Sequence, residues 1–493
     1  MSKRTAIIDI GSNSLRMVIY EKTSRFAFHI IYESKSKVRL SQNAYENGNN
    51  LQNDAMDRAF YTLSDFVNII SSFNARKTLC VATSALRDAP NKKEFLHRIY
   101  TKLKLKIKII DGQREAYLGG IACANLLPPQ ENALSIDIGG GSTEFAFINN
   151  KNIKQTISLN LGTVRLKELF FDKNDIKGAK KYIDDKLYEL DKIHTKKLIG
   201  VGGTSRALST SIMKQINFPL KKLHAFEYNV KNYKDLIENI LKANNDDELK
   251  KLYIKPNRYD IIKPGALILQ RVIKKLSIEV FVTSGVGVRE GVYLSDLLRN
   301  SKDRFPVNYN TSVRNILDLH VKDREYANNL NKLVKNLFDL LKGEFCLDER
   351  YRDDLAISAK LYPSGGSIHQ YAQNRHSYYL VQSELEYGVT QRQMLLISTL
   401  LRYAKRKLPS TAHFEEYKVL LPDLNALNTL SYILTLSIYL LNHRPRNIDF
   451  KCSIENGDLI IESDREMYLC KEDLKDLKTP SHLSDKNFKI IFT

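Results

Sequence analysis

The sequence predicts an α/β protein that contains a duplicated domain, followed by a mostly helical region. A nearly identical octet occurs twice: Ile7–Ser14 reads Ile-Ile-Asp-Ile-Gly-Ser-Asn-Ser, and Ser135–Ser142 reads Ser-Ile-Asp-Ile-Gly-Gly-Gly-Ser. Each octet opens a run of three strands followed by alternating helices and strands, which is typical of α/β domains. After about residue 300 the pattern becomes mostly helical. The two octets lie 128 residues apart, a period too long for a solenoid, so the repeat indicates two similar domains facing one site.

The first repeat is predicted to contain five strands. In order, we expect strands at 5–9, 14–20 and 26–33, a helix near 53–73, a strand at 78–83, a helix near 92–104, a strand at 107–110 and a helix beginning at Asp111-Gly112. The helix near 53–73 is indicated by apolar residues at a 3.6-residue period, among them Ala59, Leu63 and Phe66. Pro128-Pro129 then separates the two repeats.

The second repeat begins with the same three-strand opening. Its predicted strands are 133–137, 143–148, 153–159, 197–201 and 278–283, with helices between the third and fourth and again before the last. The predicted boundaries are 1–128 and 129–302 for the two α/β domains, 303–410 for a helical domain and 411–493 for a small α+β part. In that last part Asn456-Gly457 is a strong hairpin turn.

Composition restricts the class of protein. A chain of 493 residues suggests roughly three domains at about 150 residues each. No run of about 18 apolar residues occurs, so no membrane span is expected, no membrane partner is expected, and the first residues do not resemble a signal peptide. Five scattered cysteines argue against a disulfide framework and favour the cytoplasm. The net charge of +20 suits polyanions in general, but no motif indicates specific nucleic-acid binding.

The repeated octets are suited to binding phosphate and metal. Glycines let backbone N–H groups approach a phosphate closely, and Ser or Thr adds a hydroxyl donor. Asp9 and Asp137 end their strands and supply the hard oxygen that Mg²⁺ prefers, usually through water. Gly202-Gly203-Thr204 and Ser284-Gly285-Val286-Gly287 follow later strands. All four loops are expected beyond the carboxyl ends of their strands, where open α/β sheets bind ligands.

Several segments resemble one family closely. They are Asp9-Ile-Gly-Ser-Asn-Ser-Leu-Arg16, Ala82-Thr-Ser-Ala-Leu-Arg-Asp-Ala89, Asp111-Gly-Gln-Arg-Glu-Ala116, Asp137-Ile-Gly-Gly-Gly-Ser-Thr-Glu144 and Gly202-Gly-Thr-Ser-Arg206, with Leu161–Leu166 and Gly285–Gly291 also fitting. Over about the first 300 residues, the chain resembles the exopolyphosphatases and guanosine pentaphosphate phosphohydrolases. The resemblance implies duplicated actin-like ATPase (ribonuclease H-like) domains, as in the superfamily of actin, heat-shock chaperones and sugar kinases.

The resemblance also implies roles for individual residues. Glu115 matches the family's catalytic glutamate, which orients or deprotonates the attacking water. Asp137 and Glu144 match an acidic pair with catalytic and metal-binding roles, and Asp9 is a further candidate ligand of Mg²⁺. The alternatives without the family are a surface residue in the first turn of a helix for Glu115, a strand-end turn residue for Asp137 and an exposed strand residue for Glu144.

A larger set is expected to hold the phosphates. Arg87 can grip a phosphate in a bidentate manner, and Arg16 and Arg258 are candidates for reaching a longer anion. The full predicted set is Ser12, Asn13, Arg16, Arg87, Gly139, Gly140, Gly141, Ser142, Gly203, Thr204 and Arg258.

The helical region resembles the family's HD-type domain in a degenerate form. A working HD site needs an adjacent His-Asp pair as metal ligands, and the corresponding segment here is Leu361-Tyr-Pro-Ser-Gly-Gly366. His320, His369 and His376 remain, but histidines without a carboxylate partner favour packing or phosphate contact over a metal site. We therefore expect no second catalytic centre, and instead a basic groove or a homodimer interface.

Three functions follow from these observations. The first is a Mg²⁺-dependent phosphohydrolase that releases orthophosphate from inorganic polyphosphate, guanosine pentaphosphate or both. The second is a kinase or ATPase of the same superfamily, and the third is a non-catalytic sensor of the alarmone or of a polyanion. The Asp-Gly-x-x-Glu-Ala segment at Asp111–Ala116 favours hydrolysis.

Overall fold

The computed structural model describes residues 3–405, 407–484 and 488–493. The chain forms two compact units, the first ending at Tyr309 and the second beginning at Asn310. The predicted boundaries inside these units remain predictions.

The first half of the first unit is a five-stranded sheet with four helices. Its elements are β1 (Lys3–Ile10), β2 (Leu15–Lys22), β3 (Phe28–Ser36), α1 (Asn53–Ser72), β4 (Lys77–Ala82), α2 (Ser84–Arg87), α3 (Lys92–Leu103), β5 (Ile107–Ile109) and α4 (Gly112–Leu126). The strand order is β3-β2-β1-β4-β5, with β1, β2 and β3 antiparallel and β4 and β5 parallel to β1. Residues 5–8 of β1 are all buried, which explains an apolar run without alternation.

The second half repeats this arrangement in a six-stranded sheet. Its elements are β6 (Ala133–Ile138), β7 (Thr143–Asn149), β8 (Asn152–Leu159), α5 (Thr163–Leu169), α6 (Ile176–Lys186), β9 (Lys197–Val201), α7 (Gly202–Gln215), β10 (Phe226–Asn229), α8 (Lys234–Lys242), α9 (Asp246–Lys251), α10 (Tyr259–Leu276), β11 (Val280–Thr283) and α11 (Val288–Leu297). The strand order is β10-β11-β9-β6-β7-β8. The edge strand β10 was not anticipated. The last strand, β11, begins two residues later than predicted. The Ile278 N–H instead donates to the Ile273 carbonyl and so belongs to the end of α10.

The two halves share their strand register, as the repeated octets predict. Asp9 of β1 pairs with Arg16 of β2, and Asp137 of β6 pairs with Glu144 of β7. Both connecting loops close with the same bond, in which the N–H two residues after the aspartate donates to a serine carbonyl three residues later. The predicted α/β fold with a duplicated domain is confirmed.

Two helices pack across from one half to the other. Helix α4, at the end of the first repeat, packs on β6, β7 and β8 of the second sheet and on α11. Helix α11, at the end of the second repeat, packs on β1 of the first sheet. The N-terminus of α4 is therefore held between the two sheets.

The second unit is mostly helical, with a small sheet near its end. Its elements are α12 (Thr311–His320), α13 (Arg324–Leu341), α14 (Tyr351–Leu361), α15 (Gln373–Glu384), α16 (Gln391–Tyr403), α17 (Thr411–Tyr417), α18 (Leu424–Leu440), β12 (Lys451–Glu455), β13 (Asp458–Glu462), α19 (Tyr468–Leu474), α20 (Ser481–Ser484) and β14 (Ile490–Phe492). Helix α18 is buried along most of its length. The predicted hairpin joins β12 and β13, with positive φ at Asn456 and Gly457.

Two further expectations concern the whole chain. All five cysteines are free, as predicted. Among the helices of the described ranges, none combines the length and apolar character needed to cross a bilayer.

Candidate active site

The strand-end loops of both halves line one cavity in the first unit. Its volume is about 140 Å³. Thirteen of the predicted site residues line it: Asp9, Ser12, Asn13, Arg16, Glu115, Asp137, Gly139, Gly140, Ser142, Glu144, Gly203, Thr204 and Arg258. Arg87 and Gly141 do not line the cavity but lie directly behind it, against Glu115 and against Ser84 and Tyr45 respectively.

The two octet loops approach each other closely. A Cβ on Gly140 would lie 2.7 Å from the Cβ of Ser12. The Ser12 hydroxyl is in turn 3.0 Å from that of Ser84 at the start of α2. Glycine in the second loop therefore lets the halves meet, and their backbone N–H groups and hydroxyls surround one small space suited to phosphate.

The second octet loop is fixed by the start of α5. The N–H groups of Thr163 and Val164 donate to the carbonyls of Gly139 and Gly140, at 2.9 and 2.8 Å. The loop is therefore rigid before any ligand binds.

Gly202 has a conformation that only glycine accommodates easily. Its φ is +80°, and a Cβ at this position would lie 2.4 Å from Oδ1 of Asp137. The turn from β9 into α7 can therefore pass directly beside this carboxylate, with Gly203 and Thr204 on the cavity wall.

Glu115 lies in the first turn of α4, where Asp111 caps the helix by accepting a hydrogen bond from the Arg114 N–H at 2.7 Å. Glu115 is buried, and Nη1 of Arg87 donates to its Oε2 at 3.0 Å. Arg87 also donates to the Ser142 hydroxyl at 3.4 Å. One guanidinium therefore joins the glutamate to the second octet loop.

Burial raises the pKa of Glu115 well above its usual range, and the neighbouring charge of Glu144 adds to this rise. The Arg87 guanidinium opposes both effects. A carboxylate with a raised pKa is a stronger base than one in water, and this suits proton abstraction near neutral pH.

The other three predicted carboxylates, Asp9, Asp137 and Glu144, also line the cavity. Burial raises the pKa of Glu144 to about 8 and that of Asp9 to about 6, and it also raises the pKa of Asp137. The charge of Asp137 contributes to the rise at both Asp9 and Glu144. Carboxylates that lie this close together repel one another when ionised. A divalent cation would reduce that repulsion and stabilise their ionised forms.

The donor set fits a hydrated Mg²⁺ ion better than a closed protein cage. In the described part of the chain, no three His, Cys, Asp or Glu side chains converge closely enough to form a complete metal site. Mg²⁺ usually takes one or two carboxylates and completes its shell with water and substrate phosphate. Asp9, Asp137 and Glu144, all on the cavity wall, match that requirement.

A group of cations also lines the cavity: Arg16, Lys35, Arg206, Arg258 and Arg289. Burial lowers the pKa of Lys35 to about 8, and the four arginines add to this effect. The nearby arginines make Lys35 harder to protonate, which indicates an excess of positive charge around it. Such an excess favours a polyanionic ligand.

Three of these cations were missed from the sequence. Arg206 and Arg289 stand inside the recognised motifs, so the signal was present. Arg206 is oriented by the carbonyls of Ser284 and Gly285 at 2.9 and 2.8 Å. Lys35 lies on β3 opposite Arg16, and only the strand register could have located it.

The described residues of the region expected to resemble an HD-type domain form no comparable cluster of carboxylates. His320 contacts the Ser367 hydroxyl at 3.1 Å and Glu384 at 2.9 Å. Throughout the described ranges of the second unit, no metal-binding group of three side chains occurs.

Comparison with known proteins places this fold and cavity in a known class. The chain belongs to the Ppx/GppA phosphatase family, whose sequence profile matches residues 18–300. The profile of Ppx/GppA phosphatase domain III matches residues 309–478, in the helical unit. The resemblance inferred from the motifs is confirmed.

Individual relatives agree with this assignment. The chain is 33% identical over 298 residues to the bifunctional 3-dehydroquinate synthase/phosphatase of Fusobacterium nucleatum. The aligned region covers 57% of this chain but only 44% of that protein. An exopolyphosphatase from Cytophaga hutchinsonii aligns with a TM-score of 0.57 at 25% identity, over 62% of this chain and all of the other. The Aquifex aeolicus Ppx/GppA family member aligns with a TM-score of 0.52 at 26% identity, over 61% of this chain and 99% of the other.

Proposed function

We propose that this protein is a phosphohydrolase that releases terminal orthophosphate from inorganic polyphosphate, guanosine pentaphosphate or both. The observation that carries the proposal is the position of Glu115, a buried base on the wall of a cavity formed by two phosphate-type loops. Membership of the Ppx/GppA phosphatase family and the likeness to an exopolyphosphatase support it.

In the proposed reaction the terminal phosphate binds between the two octet loops. Their N–H groups and the hydroxyls of Ser12 and Ser142 hold its oxygens, and the arginines and Lys35 hold the rest of the anion. Glu115 accepts a proton from a water molecule as the water oxygen attacks the terminal phosphorus in line. The bridging P–O bond breaks, and the shortened chain leaves with the electron pair of that bond.

Mg²⁺, held by one or two of the carboxylates of Asp9, Asp137 and Glu144 and otherwise by water and substrate phosphate, would supply neutralisation of phosphate charge. Arg87 keeps Glu115 oriented and limits the rise of its pKa. In this proposal the loops position the phosphate, and Glu115 accepts the proton from the attacking water.

The two substrates present the same terminal phosphoanhydride to these residues. They differ in length and in the guanosine end, which lies away from the reacting atoms. A homodimer in the cytoplasm belongs to the same proposal, and analytical ultracentrifugation of the purified chain tests the dimer.

The experiment is an orthophosphate assay on the purified protein with Mg²⁺, using long-chain polyphosphate and guanosine pentaphosphate in parallel. We expect release from at least one of them, with guanosine tetraphosphate as the nucleotide product in the second case. Absence of release from both, or transfer of phosphate from ATP to an acceptor without polyphosphate cleavage, would refute the proposal.

A further inference from the structure

The helical unit contains a large polar cavity that the proposed hydrolysis does not use. Its volume is about 910 Å³, at the upper end of the range of small-molecule sites. It lies among α13, α15, α16 and α18 and the segments that follow α16 and α18. No Asp or Glu is among the described residues that line it.

Five cations line this cavity: Arg375, Arg402, Lys405, Lys407 and Arg444. Arg444 is partly neutralised by Asp323 at 3.3 Å, and its guanidinium lies 3.4 Å from the centre of the Tyr326 ring. The lining therefore carries a clear positive excess, which attracts an anion.

Within the described part of the chain, Arg402 is held by two tyrosine rings and a histidine and pairs with no carboxylate. Its guanidinium lies over the rings of Tyr378 and Tyr403, at 5.1 and 5.7 Å from their centres, and Nη1 is 3.3 Å from Nδ1 of His413. None of these contacts cancels its charge. The arginine is therefore preorganised and keeps its full charge for a ligand.

His413 supports this arrangement because it stays neutral. Burial lowers its pKa to about 4, and the charge of Arg402 adds to the effect. With Nδ1 accepting from Arg402, the proton lies on Nε2, which is 2.9 Å from the hydroxyl of Thr399. A neutral imidazole thus orients the guanidinium where a carboxylate would neutralise it.

Arg375 is brought to the same cavity by a bond between two helices. The side-chain amide of Asn374, in the first turn of α15, donates to the Arg402 carbonyl at 2.6 Å. This contact ties the start of α15 to the end of α16, so that two arginines face one space. Two guanidinium groups on one space match the geometry by which arginine binds phosphate.

Tyrosine rings form the rest of the wall. Tyr326 and Tyr362 are buried, Tyr378 and Tyr403 are half-buried, and Tyr371 is 76% exposed beside the side-chain amide of Gln370. Exposed ring faces bind flat heterocycles by stacking, and amides can hydrogen-bond their edges. An inorganic anion would use the cations but would leave the exposed ring of Tyr371 without a partner.

We infer that this cavity binds a nucleotide, with its phosphate on Arg402 and Arg375 and its base against the tyrosine wall. Size, positive charge and aromatic surface together favour a ligand that has both a charged group and a flat ring. The site is separate from the phosphate cavity of the first unit and shares no residue with it.

The test is isothermal titration of the full-length protein with GMP and AMP, and with guanosine, adenosine and inorganic phosphate as the separate halves of these ligands. We expect saturable binding of at least one nucleotide, at least about tenfold tighter than either half. Arg402→Ala and Tyr371→Ala should each weaken it by about tenfold, since a charge-assisted bond or one stacking contact contributes about that much.

Arg350→Ala is the matched control. Arg350 also lies over a tyrosine, 4.9 Å from the ring centre of Tyr351, but it pairs with Asp348 at 3.1 Å and lies outside the cavity. Its removal should leave binding unchanged. Because Tyr371 is exposed, its variant keeps the test valid even if Arg402→Ala fails to fold.

Arg87→Ala separates the two sites. Loss of nucleotide binding in that variant, with binding retained in Arg402→Ala and Tyr371→Ala, would place the nucleotide in the first unit and overturn the inference. Failure of both nucleotides to bind at millimolar concentration, or equal affinity for inorganic phosphate alone, would overturn it as well.

Discussion

Glu115 and Arg87 are coupled at the residue scale. Burial and the charge of Glu144 favour the protonated form of Glu115, and Arg87 at 3.0 Å favours the ionised form. A general base works only when it is ionised, so the guanidinium extends its working range toward lower pH.

Replacing Arg87 by Gln should therefore raise the pKa of Glu115 further. The acid limb of the pH profile of kcat/KM should move to higher pH by about one unit or more, the usual effect of removing an adjacent opposite charge. Orthophosphate release measured between pH 5 and 9 checks this. Arg98→Gln, in α3 and paired with Asp57, should leave the profile in place, and an unshifted limb in Arg87→Gln would argue against the coupling.

The sequence located the residues whose chemistry is local. An aspartate that ends an apolar strand before a glycine loop, as at Asp137, can be recognised without a structure. Lys35 could not be found this way, because its neighbours in the cavity come from distant segments, whereas Arg289 lies inside a matching motif. Lys35 is placed by the pairing of β3 with β2, and Arg289 by the packing of α11 on β1.

At the scale of elements, the contact between α4 and α11 positions the base. Gly291 of α11 meets the backbone of α4 directly: a Cβ there would lie 1.9 Å from the Leu118 carbonyl oxygen. Backbone cannot move aside as a side chain can, so the two helices need glycine to pack this closely.

Gly291→Ala should separate α4 from α11, cost about 1–3 kcal/mol of stability and displace Glu115. We expect a lower melting temperature together with a lower kcat, measured by calorimetry and phosphate release. Gly119→Ala in α4 is the matched control, since a Cβ at Gly119 meets no atom within 4 Å. Equal behaviour of the two variants would contradict the packing argument.

The packing of α17 on α16 predicts a titration. Burial lowers the pKa of His413 to about 4, below the value of about 6.5 in an unfolded chain. At pH values between these two, the folded state binds fewer protons than the unfolded state. The stability contributed by the neutral His413 side chain is therefore complete above pH 6.5 and is lost as the pH falls toward 4.

Carbon-13 labelling of the ten histidines measures this directly. The resonance that disappears in His413→Gln should titrate near pH 4, and the unfolding free energy of the wild type should fall more steeply between pH 6.5 and 4 than that of the variant. Titration of that resonance near pH 6.5 would show a charged imidazole and remove the argument that Arg402 is oriented by a neutral ring.

At the scale of the whole molecule, the net charge of +20 should act on long polyanions. Added salt weakens binding in proportion to the number of phosphates that are neutralised. The KM for long-chain polyphosphate should therefore rise more steeply with KCl concentration than the KM for tripolyphosphate. Equal slopes would mean that only the terminal phosphates contact the protein.

The fold was predictable because it is encoded twice. Two octets in the same context specified two sheets, and their shared register followed from the loop that each contains. Two features were not encoded locally. The packing of α4 and α11 on the sheet of the opposite half depends on tertiary contacts. The four-residue edge strand β10 is too short to give a periodic signal.

The most direct test of the central claim is Glu115→Gln in single-turnover phosphate release, with substrate binding measured in parallel. The amide keeps the size of the side chain but cannot accept the proton. We therefore predict that the single-turnover rate constant of phosphate release falls by about 10²–10⁴-fold while binding of polyphosphate is retained. Glu131→Gln, at an exposed loop position, should behave as wild type. Full activity in Glu115→Gln would contradict the account.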